Sequence, residues 1–319
     1  MLLILLSTFL FCQEHQAICN RKYFKTLKNQ INNAQKSIDI LGFSMKTNTN
    51  VNKKIVSLLR HAKQRGVKVR VLLEGNSFVK SHNYNTVQKL LKIGAQAKVN
   101  TSRYLIHAKL AIFDNKYILF GSSNLTFQSL IFNNESNILI NSESIAKFYV
   151  EYYASLWKNP NNKCSSTITI NDSCYFYGDK YYSVVEDALK NAESEITVIM
   201  YYVYDKNLFL LELLAKAKKR GVKIKILLEK TTRKAFNSHI YMYNARVAKI
   251  LKKYGIYKVS FDSTSKVTHS KILIVDGYKT IIGSNNWSKK NSFTHQVGAV
   301  IHSKKIALSF EKHFQQCKK

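Results

Sequence analysis

Proline occurs once in this chain, at Pro160, and Asp and Glu together number 19 against 50 Lys and Arg. So little proline excludes collagen-like and proline-rich architectures. The shortage of acids leaves a formal net charge of +31, which attracts polyanions wherever it is exposed. The abundance of Lys, Asn, Ile and Tyr is also what an AT-rich genome produces, but that bias rarely depletes acids so far. Nucleic acid is therefore the favoured partner, with an anionic phospholipid surface as the alternative. Five cysteines are present without a CxxC pair or a Cys/His cluster at zinc spacing, so no metal and no cofactor are expected. Beyond the N-terminus no apolar run reaches bilayer length.

Hydrophobic residues make up 45% of the 319 positions and aromatics 12%, enough to bury sizeable cores in two domains. The opening MLLILLSTFLFC has the length of a signal peptide, and residues 1–19 read as a signal-like segment with Ala17 as the best cleavage point. The chain is accordingly expected to be secreted or periplasmic. No Lys or Arg precedes the run, so tethering to a membrane by the N-terminus stays open. Cleavage leaves Cys19, Cys164, Cys174 and Cys317, an even number that suits an oxidising compartment, with three pairings open.

The sequence repeats. Residues 64–74 read QRGVKVRVLLE and residues 219–229 read KRGVKIKILLE. Each copy follows a segment with apolar residues at helical spacing, Ile55, Leu58, Leu59 and Ala62 in one and Leu210, Leu213, Leu214 and Ala217 in the other. Each helix is preceded by a β-like stretch, SIDILGFS at 37–44 and SEITVIMYYV at 194–203. The pattern predicts two pseudo-symmetric α/β domains, each a mixed sheet flanked by helices. Residues 20–157 form the first and 175–319 the second, and 158–174, which holds Pro160 among Asn and Ser, is the linker.

Both halves contain a second shared template, LIHAKLAIFDNKYILFGSSNLT at 105–126 and VTHSKILIVDGYKTIIGSNNWS at 267–288. His107, Lys109, Asp114, Gly121, Ser122 and Asn124 match His269, Lys271, Asp276, Gly283, Ser284 and Asn286 at identical spacing. In a strand, His and Lys two apart project from one face. One imidazole attacks phosphorus, a second protonates the leaving oxygen, and Lys and Asn stabilise the non-bridging oxygens. Two copies supply both histidines if the halves face each other, which puts the active site at the domain interface.

This HxKxxxxD pattern followed by GSxN resembles the phospholipase D superfamily over both halves. The resemblance implies a metal-independent phosphodiesterase working through a phosphohistidine, with His107 as nucleophile and His269 as acid. It implies Lys109, Lys271, Asn124, Asn286, Ser122 and Ser284 around the phosphate, and Asp114, Asp276, Gly121 and Gly283 as structural members of the motif. It also implies an acid beyond GSxN that orients the histidine. Glu135 fits that role for His107, whereas Gln296 stands in the corresponding place for His269. Glu74 and Glu229, at matching strand ends, read as salt-bridge partners of nearby basic groups.

For substrate the family divides among nucleic acids and phospholipids. Charge favours DNA or RNA, with 19 Tyr and 17 Phe available to stack on bases. The mixed basic and aromatic segment at 230–246 lies near the second motif. A phospholipase D acting on lipid head groups and a noncatalytic nucleic-acid-binding module are the alternatives. One chain suffices for the site, and the sequence leaves oligomeric state open.

Overall fold

The computed structural model describes residues 14–206, 208–230, 238–263, 265–288 and 293–318. The apolar run at 1–12 and residues 231–237 of the basic and aromatic segment at 230–246 lie outside the described residues. The first half folds as a seven-stranded mixed sheet in the order Glu14–Cys19, Ser136–Asn141, Tyr117–Gly121, Lys109–Phe113, Ser37–Gly42, Lys68–Glu74 and Gln96–Asn100. The second half repeats it with eight strands: Val259–Phe261, Lys223–Leu228, Glu195–Met200, Lys271–Val275, Lys279–Gly283, Val297–His302, Ser173–Tyr177 and Ser166–Ile170.

Alternation along each strand divides its side chains between two cores. Ile38, Ile40, Val69, Val71 and Leu73 face an outer core covered by the helices Lys22–Asn33 and Asn50–Gln64. Leu41, Leu72 and Ile112 turn the other way. There they join Ile199, Leu227 and Ile272 of the second sheet, together with the helices Glu143–Lys158 and Lys304–Lys318, in one shared core. That core fixes the two halves against each other.

Two segments differ from their expected roles. Ala17 lies inside the strand Glu14–Cys19, paired with Ile138, so cleavage there would cut a strand out of the first sheet. Of residues 158–174, Ser166–Ile170 forms a hairpin with Ser173–Tyr177 and extends the second sheet. The alternating STITI pattern, hidden among linker-like residues, is the cause. Cys19, Cys164, Cys174 and Cys317 are free thiols. The loop between Cys164 and Cys174 is closed by backbone pairing instead of by a disulfide.

Candidate active site

In each half a buried strand delivers the motif. His107 and His269 sit just ahead of Lys109–Phe113 and Lys271–Val275, the central hairpin strands of their sheets. Each lysine is buried and folds back so that Nζ donates to the carbonyl of its own motif histidine, at 2.5 Å in both halves. Each Nζ also lies 4.9 Å from an aromatic ring centroid, Phe43 for Lys109 and Tyr201 for Lys271. The same two rings flank the histidines, at 5.0 Å from His107 and 4.6 Å from His269. Phe43 and Tyr201 were not singled out from sequence. The signal was available, since each directly follows a repeated strand, Ser37–Gly42 or Glu195–Met200.

The halves are joined at the site by exchanged backbone hydrogen bonds. The N–H groups of His107 and Ala108 donate to the His295 carbonyl, at 2.9 and 2.8 Å. In the mirrored arrangement the His269 N–H donates to the Asn134 carbonyl at 2.8 Å. This exchange overturns the expected orienting pairs. Glu135 does not serve His107; its Oε2 accepts from His269 Nδ1 at 3.0 Å. Gln296 Oε1 accepts from His107 Nδ1 at 3.2 Å. The physical reason is that the residues leading into the strand after GSxN cross over first: Asn134 bridges to Thr268 and Thr294–His295 pairs with Leu105–Ile106, so the residue that follows each crossing, Glu135 or Gln296, faces the other half's histidine.

The serines also differ from expectation. Ser122 and Ser284 are fully buried, and their hydroxyls donate to Glu135 Oε2 at 2.5 Å and to Gln296 Oε1 at 2.6 Å. They hold the orienting side chains and do not point at a phosphate. Asn124 and Asn286 are partly exposed, and each has a buried, unpartnered Oδ1, which leaves these amides uncommitted among the described residues.

Asp114 and Asp276 work on the backbone. Asp114 Oδ1 accepts from the N–H groups of Lys36 and Ser37 at 2.7 and 3.0 Å, and Asp276 Oδ1 does the same for Ser194 and Glu195. Gly121 and Gly283 allow a close strand approach, for a Cβ would lie 2.3 Å from the Ser136 carbonyl oxygen in one and 2.5 Å from that of Val297 in the other. The buried Glu74 accepts from the N–H groups of Asn76 and Ile106, both at 2.6 Å, in place of the expected salt bridge. Glu229 accepts from the Thr268 N–H, the matching position in the second half.

Burial dominates the electrostatics. It holds His107 well below the usual imidazole range, assisted by Lys109 and Lys271, while the Gln296 hydrogen bond opposes it weakly. Burial and Lys271 also lower His269, but there the Glu135 carboxylate pulls back toward the charged form. Burial works against the charge of Glu135, yet His269, Lys271 and Ser122 bring its pKa below the ordinary value. Burial lowers Lys271 to about 7 against the opposing pull of Glu135 and Glu229; burial, assisted by Lys271, also holds Lys109 well below the ordinary lysine range. Such a set strongly favours an incoming anion, which would restore the charge of both lysines.

The family model described as cardiolipin synthase, PLD-like domain, matches residues 27–157 and 185–318. A phospholipase D of Rickettsia prowazekii (strain Madrid E) is 28% identical over 131 residues, covering 41% of this chain and 60% of that protein. A mitochondrial cardiolipin hydrolase of Canis lupus familiaris is 26% identical over 121 residues, covering 35% of this chain and 47% of that protein. The matches thus span about half to three fifths of each relative. Among solved structures, a phosphatidylserine synthase of Haemophilus influenzae Rd KW20 superposes with a TM-score of 0.74 at 14% identity, over 95% of this chain and 85% of that one.

Proposed function

The chain belongs to the phospholipase D superfamily, and we propose that it hydrolyses phosphodiester bonds of a nucleic-acid strand through a phosphohistidine intermediate. The observation that supports this reading is the exchanged pair of hydrogen bonds, which ties each histidine to the opposite half and makes one site of two motifs.

The unequal partners separate the roles. A nucleophile must be neutral, and His107 is held so by burial and two lysines while Gln296 takes its Nδ1–H and leaves Nε2 with a free lone pair. An acid must hold a proton, and Glu135 stabilises that form of His269. His107 Nε2 bonds to phosphorus, the bond to the leaving oxygen breaks, and that oxygen takes the proton of His269. Water then attacks phosphorus and gives a proton to the neutral His269 as the phosphorus–nitrogen bond breaks and returns its electron pair to His107. Lys109, Lys271 and the Asn124 and Asn286 amides neutralise the non-bridging oxygens throughout.

The excess of 31 positive charges and the aromatic rings beside both histidines favour a polyanionic strand with bases to stack. A second reading, hydrolysis of phospholipid head groups, is favoured by the names of the relatives. One preparation offered single-stranded DNA, RNA and phosphatidylcholine vesicles in parallel separates them. Cleavage of either nucleic acid is expected, and lipid turnover without it would reverse the assignment. Retention of nucleic acid without any product would leave only the binding module. On the same reading we propose an extracytoplasmic location, checked by fractionating cells that express the full chain.

A further inference from the structure

On the Glu135 side of the molecule, where residues 131–134 meet Lys266 and the helix Lys304–Lys318, lies an open cavity of about 420 Å³. Arg21, Lys22, Lys266 and Lys312 line it, and no lining residue is acidic. The Arg21 Nε donates to the Ile131 carbonyl at 3.1 Å, which holds the guanidinium at the rim. The cavity wall is shared with the active site. Asn133 Nδ2 donates to Glu135 Oε1 at 3.2 Å, and the neighbouring Asn134 carbonyl accepts the His269 N–H.

The internal symmetry provides a control. Asn134 precedes Glu135 as His295 precedes Gln296, but the buried His295 is wedged between the Tyr152 hydroxyl and the Pro160 carbonyl, each at 3.3 Å. Asn20 donates to the Glu135 carbonyl as Gly178 donates to that of Gln296, so Arg21 corresponds to Asp179. Lys312 stands as far beyond the capping Ser303 as Glu151 stands beyond the capping Ser142. Where one side carries Asp179, Glu151 and an aromatic plug, the other carries Arg21, Lys312 and an open space. Backbone symmetry alone does not require that reversal.

We propose that this cavity is a second phosphate subsite, which holds a phosphate of the strand neighbouring the one that reacts. The inference rests on the nucleic-acid reading above. Four cations without a lining acid suit a phosphate, and the Asn133–Asn134 segment, which lines the cavity and contacts Glu135 and His269, links it to the reacting position. A substrate with a single phosphodiester cannot use the subsite, whereas an oligonucleotide can.

The test is the full chain carrying Lys266→Ala and Lys312→Ala, two exposed positions outside the catalytic machinery. Hydrolysis of bis-p-nitrophenyl phosphate is expected to change less than twofold. Cleavage of oligothymidylates is expected to lose about tenfold in kcat/KM through KM, only above the length that reaches the cavity, with a shallower salt dependence by about one unit of slope. Equal loss at every length and on the small diester would overturn the subsite. A second arm is independent of turnover: 10 mM pyrophosphate should protect Lys266 and Lys312 of the unmodified chain from acetylation relative to the exposed Lys92, read by mass spectrometry. Absence of protection also overturns the subsite. Protection with no oligonucleotide cleavage but turnover of phospholipid vesicles would leave the subsite standing and remove nucleic acid as the substrate.

Discussion

His107 and His269 occupy copies of one motif on equivalent strands, beside equivalent lysines and under equivalent rings. Their Nδ1 partners differ: an amide for the first and a carboxylate for the second. Shape is therefore conserved by the repeat while charge is not. A two-step displacement needs one neutral imidazole and one that gives up a proton, and the Glu/Gln difference biases them apart: burial lowers both, but only His269 has a carboxylate pulling it back toward the charged form.

The sharpest way to break this comparison is to remove each imidazole. His107→Ala and His269→Ala are each expected to lower hydrolysis of bis-p-nitrophenyl phosphate by roughly a thousandfold or more in the presence of EDTA. Activity surviving either change removes that histidine from the mechanism. Acid-quenched enzyme should hold phosphate on His107, and a label on His269 would exchange the roles. Making the halves alike comes next. Glu135→Gln should cost roughly a hundredfold in kcat by weakening the acid. Gln296→Glu should cost about tenfold near neutrality, because a carboxylate raises the pKa of His107 and moves the acid limb of the pH profile to higher pH. A limb that stays in place or moves to lower pH would contradict the role given to Gln296.

Lysine charge gives a smaller effect. Lys271, lowered to about 7, is charged below that pH and neutral above it, so kcat/KM should fall as pH rises through about 7. Binding inorganic phosphate at pH 8 should take up protons, measured by calorimetry in buffers of different ionisation heat, and no net uptake would speak against a phosphate contact. Least different are the two aspartates. Asp114→Ala and Asp276→Ala should each cost roughly 1–3 kcal/mol in urea unfolding, with kcat of the folded fraction unchanged. Unequal costs would show that the two turns are less alike than their hydrogen bonds.

The motifs and the α/β order were legible because both are periodic: His and Lys alternate with apolar residues, and a long string recurs. The crossed pairing was not, because the register between Asn134 and Thr268 depends on how two folded halves dock. No local spacing encodes it. Ser122 and Ser284 could be placed near the site but not assigned a direction, since a hydroxyl beside a phosphate and one beneath a carboxylate share the same sequence. The edge strand Glu14–Cys19 was absorbed by the apolar run before it, which masks its period of two.

That edge strand is followed by Asn20, which grips Glu135 from both sides: its N–H donates to the Glu135 carbonyl and its Oδ1 accepts the Glu135 N–H, each at 3.0 Å. A peptidase trimming into residues 14–20 would therefore unfasten the carboxylate that orients His269 while leaving every motif residue in place. A preparation trimmed there would keep every motif residue yet lose an edge strand and turn over slowly, so affinity handles and maturation sites at this end are best kept ahead of Glu14.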